Sequence, residues 1–212
     1  MRQVVITIDG RRITANEGDK VLWVALDNGI YIPHLCGIRE REEPEASCRL
    51  CFVEVEGFSN PVTACTLPVK EGMVVRTRSE RVDRLVRTAF ELLLSNHRLG
   101  CAKCAGNGHC ELQKIAKEQG LKLKLTRMRS LLKEKPVDES PKKFFYDPNR
   151  CVLCGRCVWA DREKAKVGAI GFIGRGMERR VATFWDQPLA ESGCTECLAC
   201  VEACPVGALV ER

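Results

Sequence analysis

Val4, Ile6 and Ile8 alternate with polar or small neighbours before Asp9-Gly10 turns the chain into residues 11–14. Apolar residues two apart, broken by Asp-Gly, predict a β-hairpin with one buried face. The period then changes. Val21, Leu22, Ala25 and Leu26 recur at helical spacing until Asn28-Gly29 stops the run, and hairpin followed by helix opens a β-grasp fold. Residues 52–55 predict a short strand. A longer apolar stripe of Val82, Leu85, Val86, Ala89, Phe90 and Leu93 predicts an amphipathic helix from Ser79 or Glu80 to Ser95. A short helix follows over 111–118 and ends at Gly120. In 121–143 Lys and Leu alternate around Pro136 and Pro141, the pattern of a connector partly ordered against its neighbours. Beyond it Phe144, Phe145 and Tyr146 offer aromatic packing, and residues 168–173 and 181–184 predict strands joined by a turn at Gly174-Arg175-Gly176.

Composition changes this picture through its cysteines, fourteen in 212 residues. No stretch approaches eighteen uninterrupted apolar residues, and the first residues carry no apolar run of signal-peptide length, so neither membrane insertion nor secretion is expected. In the cytoplasmic location this implies, thiols stay reduced, and metal sites explain the cysteines better than disulfides do. Such sites also let small modules stand on thin apolar cores. The net charge of +6 is spread out, with its most basic stretch at 114–135. No aromatic platform is interleaved with it, so no nucleic-acid partner is expected.

Cys151-x2-Cys154-x2-Cys157 and Cys194-x2-Cys197-x2-Cys200-x3-Cys204-Pro205 resemble the C-x2-C-x2-C-x3-C-P runs of bacterial ferredoxins, in which the fourth cysteine of each run serves the other run's cluster. That resemblance assigns Cys151, Cys154, Cys157 and Cys204 to one [4Fe-4S] cluster and leaves Cys194, Cys197 and Cys200 one ligand short. Asp161 stands four residues after Cys157, where the missing cysteine belongs. Three states follow for that corner: an Asp161 carboxylate, a water or hydroxide, or a [3Fe-4S] cluster with the corner empty. Oxygen is a harder, poorer partner for this iron than thiolate, so the corner is expected to be labile. Upstream, Cys36-x11-Cys48-x2-Cys51-x13-Cys65 departs from the plant ferredoxin loop in its long first gap. His97-x3-Cys101-x2-Cys104-x5-Cys110 is a set of three cysteines and one histidine that spacing alone leaves open to zinc. His109 adjoins Cys110 and would have to share a corner with it, while His34 reads as a loop-shaping residue.

The long first gap and the order of the two upstream sets resemble the front of the large iron–sulfur subunit of respiratory complex I. They resemble equally the small diaphorase iron–sulfur subunit of NAD(P)-linked nickel–iron hydrogenases. The resemblance implies a [2Fe-2S] cluster on Cys36, Cys48, Cys51 and Cys65, and a [4Fe-4S] cluster with one histidine ligand on His97, Cys101, Cys104 and Cys110. One [2Fe-2S] and three [4Fe-4S] clusters are then expected in an α+β chain of four segments. These are a β-grasp module at 1–79, a small helical module with one histidine and three cysteine ligands at 80–120, a linker at 121–143 and a ferredoxin-like module at 144–212. The implied function is a non-catalytic electron relay in a multi-subunit oxidoreductase. It would lie between a flavin- and NAD(P)-binding diaphorase subunit and a hydrogenase small subunit or another catalytic partner. The same relay in an NAD-linked formate dehydrogenase is an alternative, and a zinc-binding scaffold is a rival of another class. Gly171-x2-Gly174-x-Gly176 has the wrong order for a dinucleotide loop. No autonomous active site is expected.

Overall fold

The computed structural model describes residues 2–212. It has an α+β fold whose chain divides into two compact units between Phe90 and Glu91. In the first unit β1 (Gln3–Ile8) and β2 (Arg11–Asn16) form the hairpin. Asp9 and Gly10 both take positive φ, 48° and 79°, as a two-residue turn matched to the strand twist requires. The Asp9 carboxylate accepts from the Thr77 backbone N–H at 2.8 Å and from its hydroxyl at 2.5 Å. After α1 (Val21–Asp27) come β3 (Phe52–Val55), β4 (Val62–Thr63) and β5 (Val74–Arg76). The sheet order is β2-β1-β5-β3-β4, with β1 and β5 parallel. Val4, Ile6, Ile8, Val21, Leu22, Ala25, Val53 and Val75 are all but excluded from solvent, and Cys51 and Cys65 belong to the same core cluster. The ligand loops therefore hang from the best-packed part of the unit.

The helix α2 (Glu80–Ser95) crosses the divide between the units. Ser79 starts it by accepting the Val82 N–H on its hydroxyl at 3.2 Å, and Glu80 and Asp83 complement the dipole in its first turn.

The second unit holds α3 (Glu111–Gln119), ended by Gly120 in the left-handed conformation at φ 63°. The strand β6 (Phe144–Tyr146) pairs with β9 (Leu209–Glu211), which ties the start of the ferredoxin-like segment to the end of the chain. Between them lie α4 (Arg156–Trp159), the hairpin β7 (Ile170–Ile173) and β8 (Arg180–Thr183), and α5 (Ala199–Glu202). The last strand of that hairpin stops short of the 181–184 expectation. Phe184 enters a 3-10 turn in which Trp185 takes φ 57°, outside the strand region. Residues 121–143 run as an ordered strap: the Leu131 N–H donates to the Ser95 carbonyl at 2.7 Å, and Asn149 accepts the Lys135 N–H at 2.8 Å. Among the described residues no helix is long and apolar enough to cross a membrane.

Candidate metal centres

In the first unit Cys36, Cys48, Cys51 and Cys65 are all buried. The Cys36 and Cys48 sulfurs stand 3.4 Å apart and share a hydrogen bond. That bond holds Cys36 down to about 5 and is the main reason the Cys48 thiol is pushed up. Cys51 and Cys65 form a second pair of the same kind, with the Cys51 thiol raised and Cys65 lowered by their mutual hydrogen bond. Two pairs of buried thiols are the arrangement that a two-metal centre with two ligands per metal would use. Around the loop, His34 Nδ1 lies 3.1 Å from the Ile32 carbonyl oxygen and its ring meets Trp23 edge-on at 5.6 Å. Arg39 lies over the Trp23 ring at 4.9 Å from its centre and pairs with Asp27 at 2.6 Å.

In the second unit His97, Cys101, Cys104 and Cys110 line one small hollow. His97 is buried and its Nδ1 has no hydrogen-bond partner. Burial, then the nearby Arg150 charge, pulls His97 down to about 4, so the imidazole is neutral and keeps a lone pair at neutral pH. His109 is exposed. The hollow is closed by a contact that the motifs do not reveal. A Cβ on Gly207 would lie 2.6 Å from the Cys104 sulfur, and one on Gly106 would lie 2.8 Å from the Gly207 backbone. The Glu111 N–H at the start of α3 donates to the Pro205 carbonyl at 2.9 Å. Residues 204–207 thus run from one set of cysteines to the next.

Cys151, Cys154, Cys157 and Cys204 line a second hollow, joined there by Tyr146 and Val181. Burial pushes Cys151 up to about 11 and Cys154 up to about 12. Thiols so raised keep their protons until a cation enters the hollow and takes the sulfurs as thiolates. The two runs that supply this region fold alike. Leu153 and Glu196 take φ 54° and 52°, and Gly155 and Leu198, each just before its helix, take 77° and 66°. The Leu153 N–H donates to the Cys151 sulfur and the Glu196 N–H to the Cys194 sulfur, both at 3.4 Å. Left-handed backbone at non-glycine residues costs about 1 kcal/mol or more at each, and here it turns amides onto sulfurs.

Asp161 is buried in a π-helical turn, Ala160–Lys164, that packs on α5. Its Oδ2 accepts the Ile170 N–H at 3.1 Å. Burial pushes Cys200 up to about 12 and raises Cys194, and the Asp161 charge adds to both shifts. The fold therefore brings this carboxylate to the three-cysteine run. Beside it, a cavity of about 460 Å³ is lined by Tyr146, Val181, Leu189, Leu209 and Cys200 among others. Among the described residues no three His, Cys, Asp or Glu side chains close around a single metal ion.

Three family models match successive parts of the chain. Residues 1–80 match a 2Fe-2S iron-sulfur cluster binding domain, 87–123 the NADH-ubiquinone oxidoreductase-G iron-sulfur binding region, and 145–210 the ferredoxin-like domain of NADH-quinone oxidoreductase subunit 3. A chain of the crystal structure of NAD+-reducing [NiFe]-hydrogenase in the H2-reduced state superposes with a TM-score of 0.87 at 32% identity, covering 99% of this chain and 87% of that one. The NADPH-Fe(3+) oxidoreductase subunit alpha of Geobacter sulfurreducens is 37% identical over 99% of this chain and 24% of its own length. The NADP-reducing hydrogenase subunit HndD of Solidesulfovibrio fructosivorans is 36% identical over 100% of this chain and 37% of its own. The mitochondrial NADH-ubiquinone oxidoreductase 78 kDa subunit of Candida albicans is 29% identical over 100% and 29%. The chain spans only about a quarter to a little over a third of these curated relatives.

Proposed function

Because the chain belongs to the iron–sulfur subunit family shared by NAD(P)-linked hydrogenases and complex I, we propose that it relays electrons between a flavin- and NAD(P)-binding diaphorase subunit and a hydrogenase catalytic subunit. Family membership makes it an iron–sulfur electron-transfer subunit of an oxidoreductase complex, with a [2Fe-2S] domain and [4Fe-4S] regions. The zinc-scaffold reading falls with that membership. The ligand assignment is Cys36, Cys48, Cys51 and Cys65 for the [2Fe-2S] cluster, and His97, Cys101, Cys104 and Cys110 for the first [4Fe-4S]. Cys151, Cys154, Cys157 and Cys204 hold the second, and Cys194, Cys197, Cys200 and Asp161 the third.

The observation that carries the assignment is that sulfurs from both ferredoxin-type runs, Cys151, Cys154 and Cys157 with Cys204, line one hollow. The unpartnered Nδ1 of His97 in the neighbouring hollow supports it independently. Bound clusters supply one-electron donor and acceptor states. The chain's own residues hold thiolates at fixed corners, exclude water from Cys154 and Cys157, and turn the Leu153 and Glu196 amides onto sulfur. His97 contributes a neutral ligand where a thiolate would add a negative charge, which raises the potential at that position.

Anaerobically purified chain should contain about fourteen irons and as many labile sulfides, as one [2Fe-2S] and three [4Fe-4S] clusters require. Far fewer would end the assignment. Copurification from the native host should bring down a flavoprotein and a nickel-containing subunit. Molybdenum or tungsten in place of nickel would overturn the hydrogenase partner.

A further inference from the structure

Tyr146 occupies a position that the ligand sets do not account for. Its ring lines the hollow of Cys151, Cys154, Cys157 and Cys204 as well as the 460 Å³ cavity, so it stands between the two. Its hydroxyl donates to the Val181 carbonyl oxygen at 3.0 Å, and Val181 and Cys151 line the same hollow as the ring. A phenol has one proton to give, and the Val181 carbonyl and a sulfur of the hollow are the acceptors open to it. A buried hydroxyl must always keep one of them, because losing both leaves it desolvated and unpaired.

We propose that Tyr146 is a positioning residue that tunes the cluster held by Cys151, Cys154, Cys157 and Cys204: its O–H is shared between Val181 and the Cys151 sulfur and turns toward the sulfur when that cluster is reduced. The proposal rests on the reading that these four cysteines hold a cluster. An added electron makes the ligand sulfurs more negative and leaves the Val181 carbonyl as it was. A hydrogen bond to the more charged partner is roughly twice as strong as a neutral one, so the balance between the acceptors shifts with redox state. The O–H bond itself neither breaks nor transfers its proton; only its direction changes. Stabilising the reduced form more than the oxidised one raises the potential, and hydrogen bonds to cluster sulfurs are a known lever on it. The Leu153 N–H supplies a second donor to the same sulfur, but a backbone amide cannot turn between partners as the hydroxyl can.

The test is an EPR-monitored redox titration of the full iron-loaded chain carrying Tyr146→Phe, with iron and sulfide counted beforehand. The expected result is a full metal content and a lowered midpoint at this cluster alone, with the ratio of oxidised to reduced form at the wild-type midpoint rising about fivefold, the size of one net hydrogen bond. A second arm replaces the tyrosines by 3-fluorotyrosine, a stronger donor of the same shape; the chain has only two tyrosines, and the midpoint should move upward. A merely structural tyrosine would lower the melting temperature and leave both midpoints in place. Unmoved midpoints in fully loaded protein, or shifts of the same sign in both arms, overturn the proposal. If Tyr146→Phe does not load, the fluorotyrosine arm decides alone. Wild-type chain lacking iron at these cysteines would instead overturn the ligand assignment.

Discussion

Replacing Gly207 by alanine should empty the His97 centre selectively. The new Cβ would stand 2.6 Å from the Cys104 sulfur and 3.0 Å from the Gly106 nitrogen, where ordinary contacts need about 3.5–4.0 Å. Something must retreat by about 1 Å. If the sulfur moves, Cys104 leaves its cluster corner. If the backbone moves instead, it drags Pro205, whose carbonyl holds the start of α3. Gly207 does not lie in the left-handed region, so alanine brings no backbone strain and the effect is steric. Overpacking of this kind costs about 1–3 kcal/mol. Iron should fall from about fourteen to about ten per chain, with loss of the EPR signal of the histidine-ligated cluster. The control is Gly108→Ala in the same loop. Its φ of 87° makes alanine strained, but nothing lies within 4 Å of the added carbon, so stability should fall by about 1 kcal/mol with full iron retained. Full iron and an unchanged signal in Gly207→Ala would refute the idea that this close approach sets the ligand geometry.

His97→Cys should keep iron but lower that cluster's midpoint, because a thiolate adds a negative charge; redox titration reads it directly. The wild-type signal of this cluster should hold steady from pH 8 to about pH 5 and decline as pH falls through about 4, where protonation of His97 begins to compete with iron. Asp161→Cys should alter the low-temperature EPR of the Cys194, Cys197 and Cys200 cluster and make its fourth iron resist oxidative loss; an unchanged spectrum would remove Asp161 as a ligand. Glu91 is buried and accepts from Thr126 Oγ1 at 2.6 Å and from Arg127 Nε at 3.2 Å. Glu91→Gln should cost about 1–3 kcal/mol and speed proteolysis within 121–135. The Thr126 hydrogen bond, aided by Arg127, holds the Glu91 carboxyl below its ordinary value. Its stabilising contribution is therefore present above the ordinary carboxylate range and lost as pH falls below it.

The alternation of Val4, Ile6 and Ile8, the Asp9-Gly10 turn and the stripe from Val82 to Leu93 suffice to foresee the hairpin and α2, because local period and turn chemistry decide both. The candidate ligand sets are legible for a similar reason: soft side chains at short, repeated spacings are able to converge on a point, and a metal centre is what uses such a point. Local signals fail where distant contacts decide. Phe184 has strand propensity, yet Trp185 turns left-handed and ends β8. The basic strap at 121–143 reads as a connector, but Glu91, Ser95 and Asn149 order it from outside the segment.

Sequence alone, then, picked out the side chains proposed to bind iron, since that choice follows from side-chain chemistry and spacing along one stretch of chain. The ferredoxin spacing also paired Cys204 with Cys151 and pointed Asp161 at the Cys194 run, whereas tertiary structure alone decided that Asp161 is buried on the Ile170 amide and that Gly207 must lack a side chain beside Cys104. Tertiary structure also put the Tyr146 hydroxyl on the Val181 carbonyl in the hollow that Cys151 lines. Those are distances between residues far apart in the chain, and no local period encodes them.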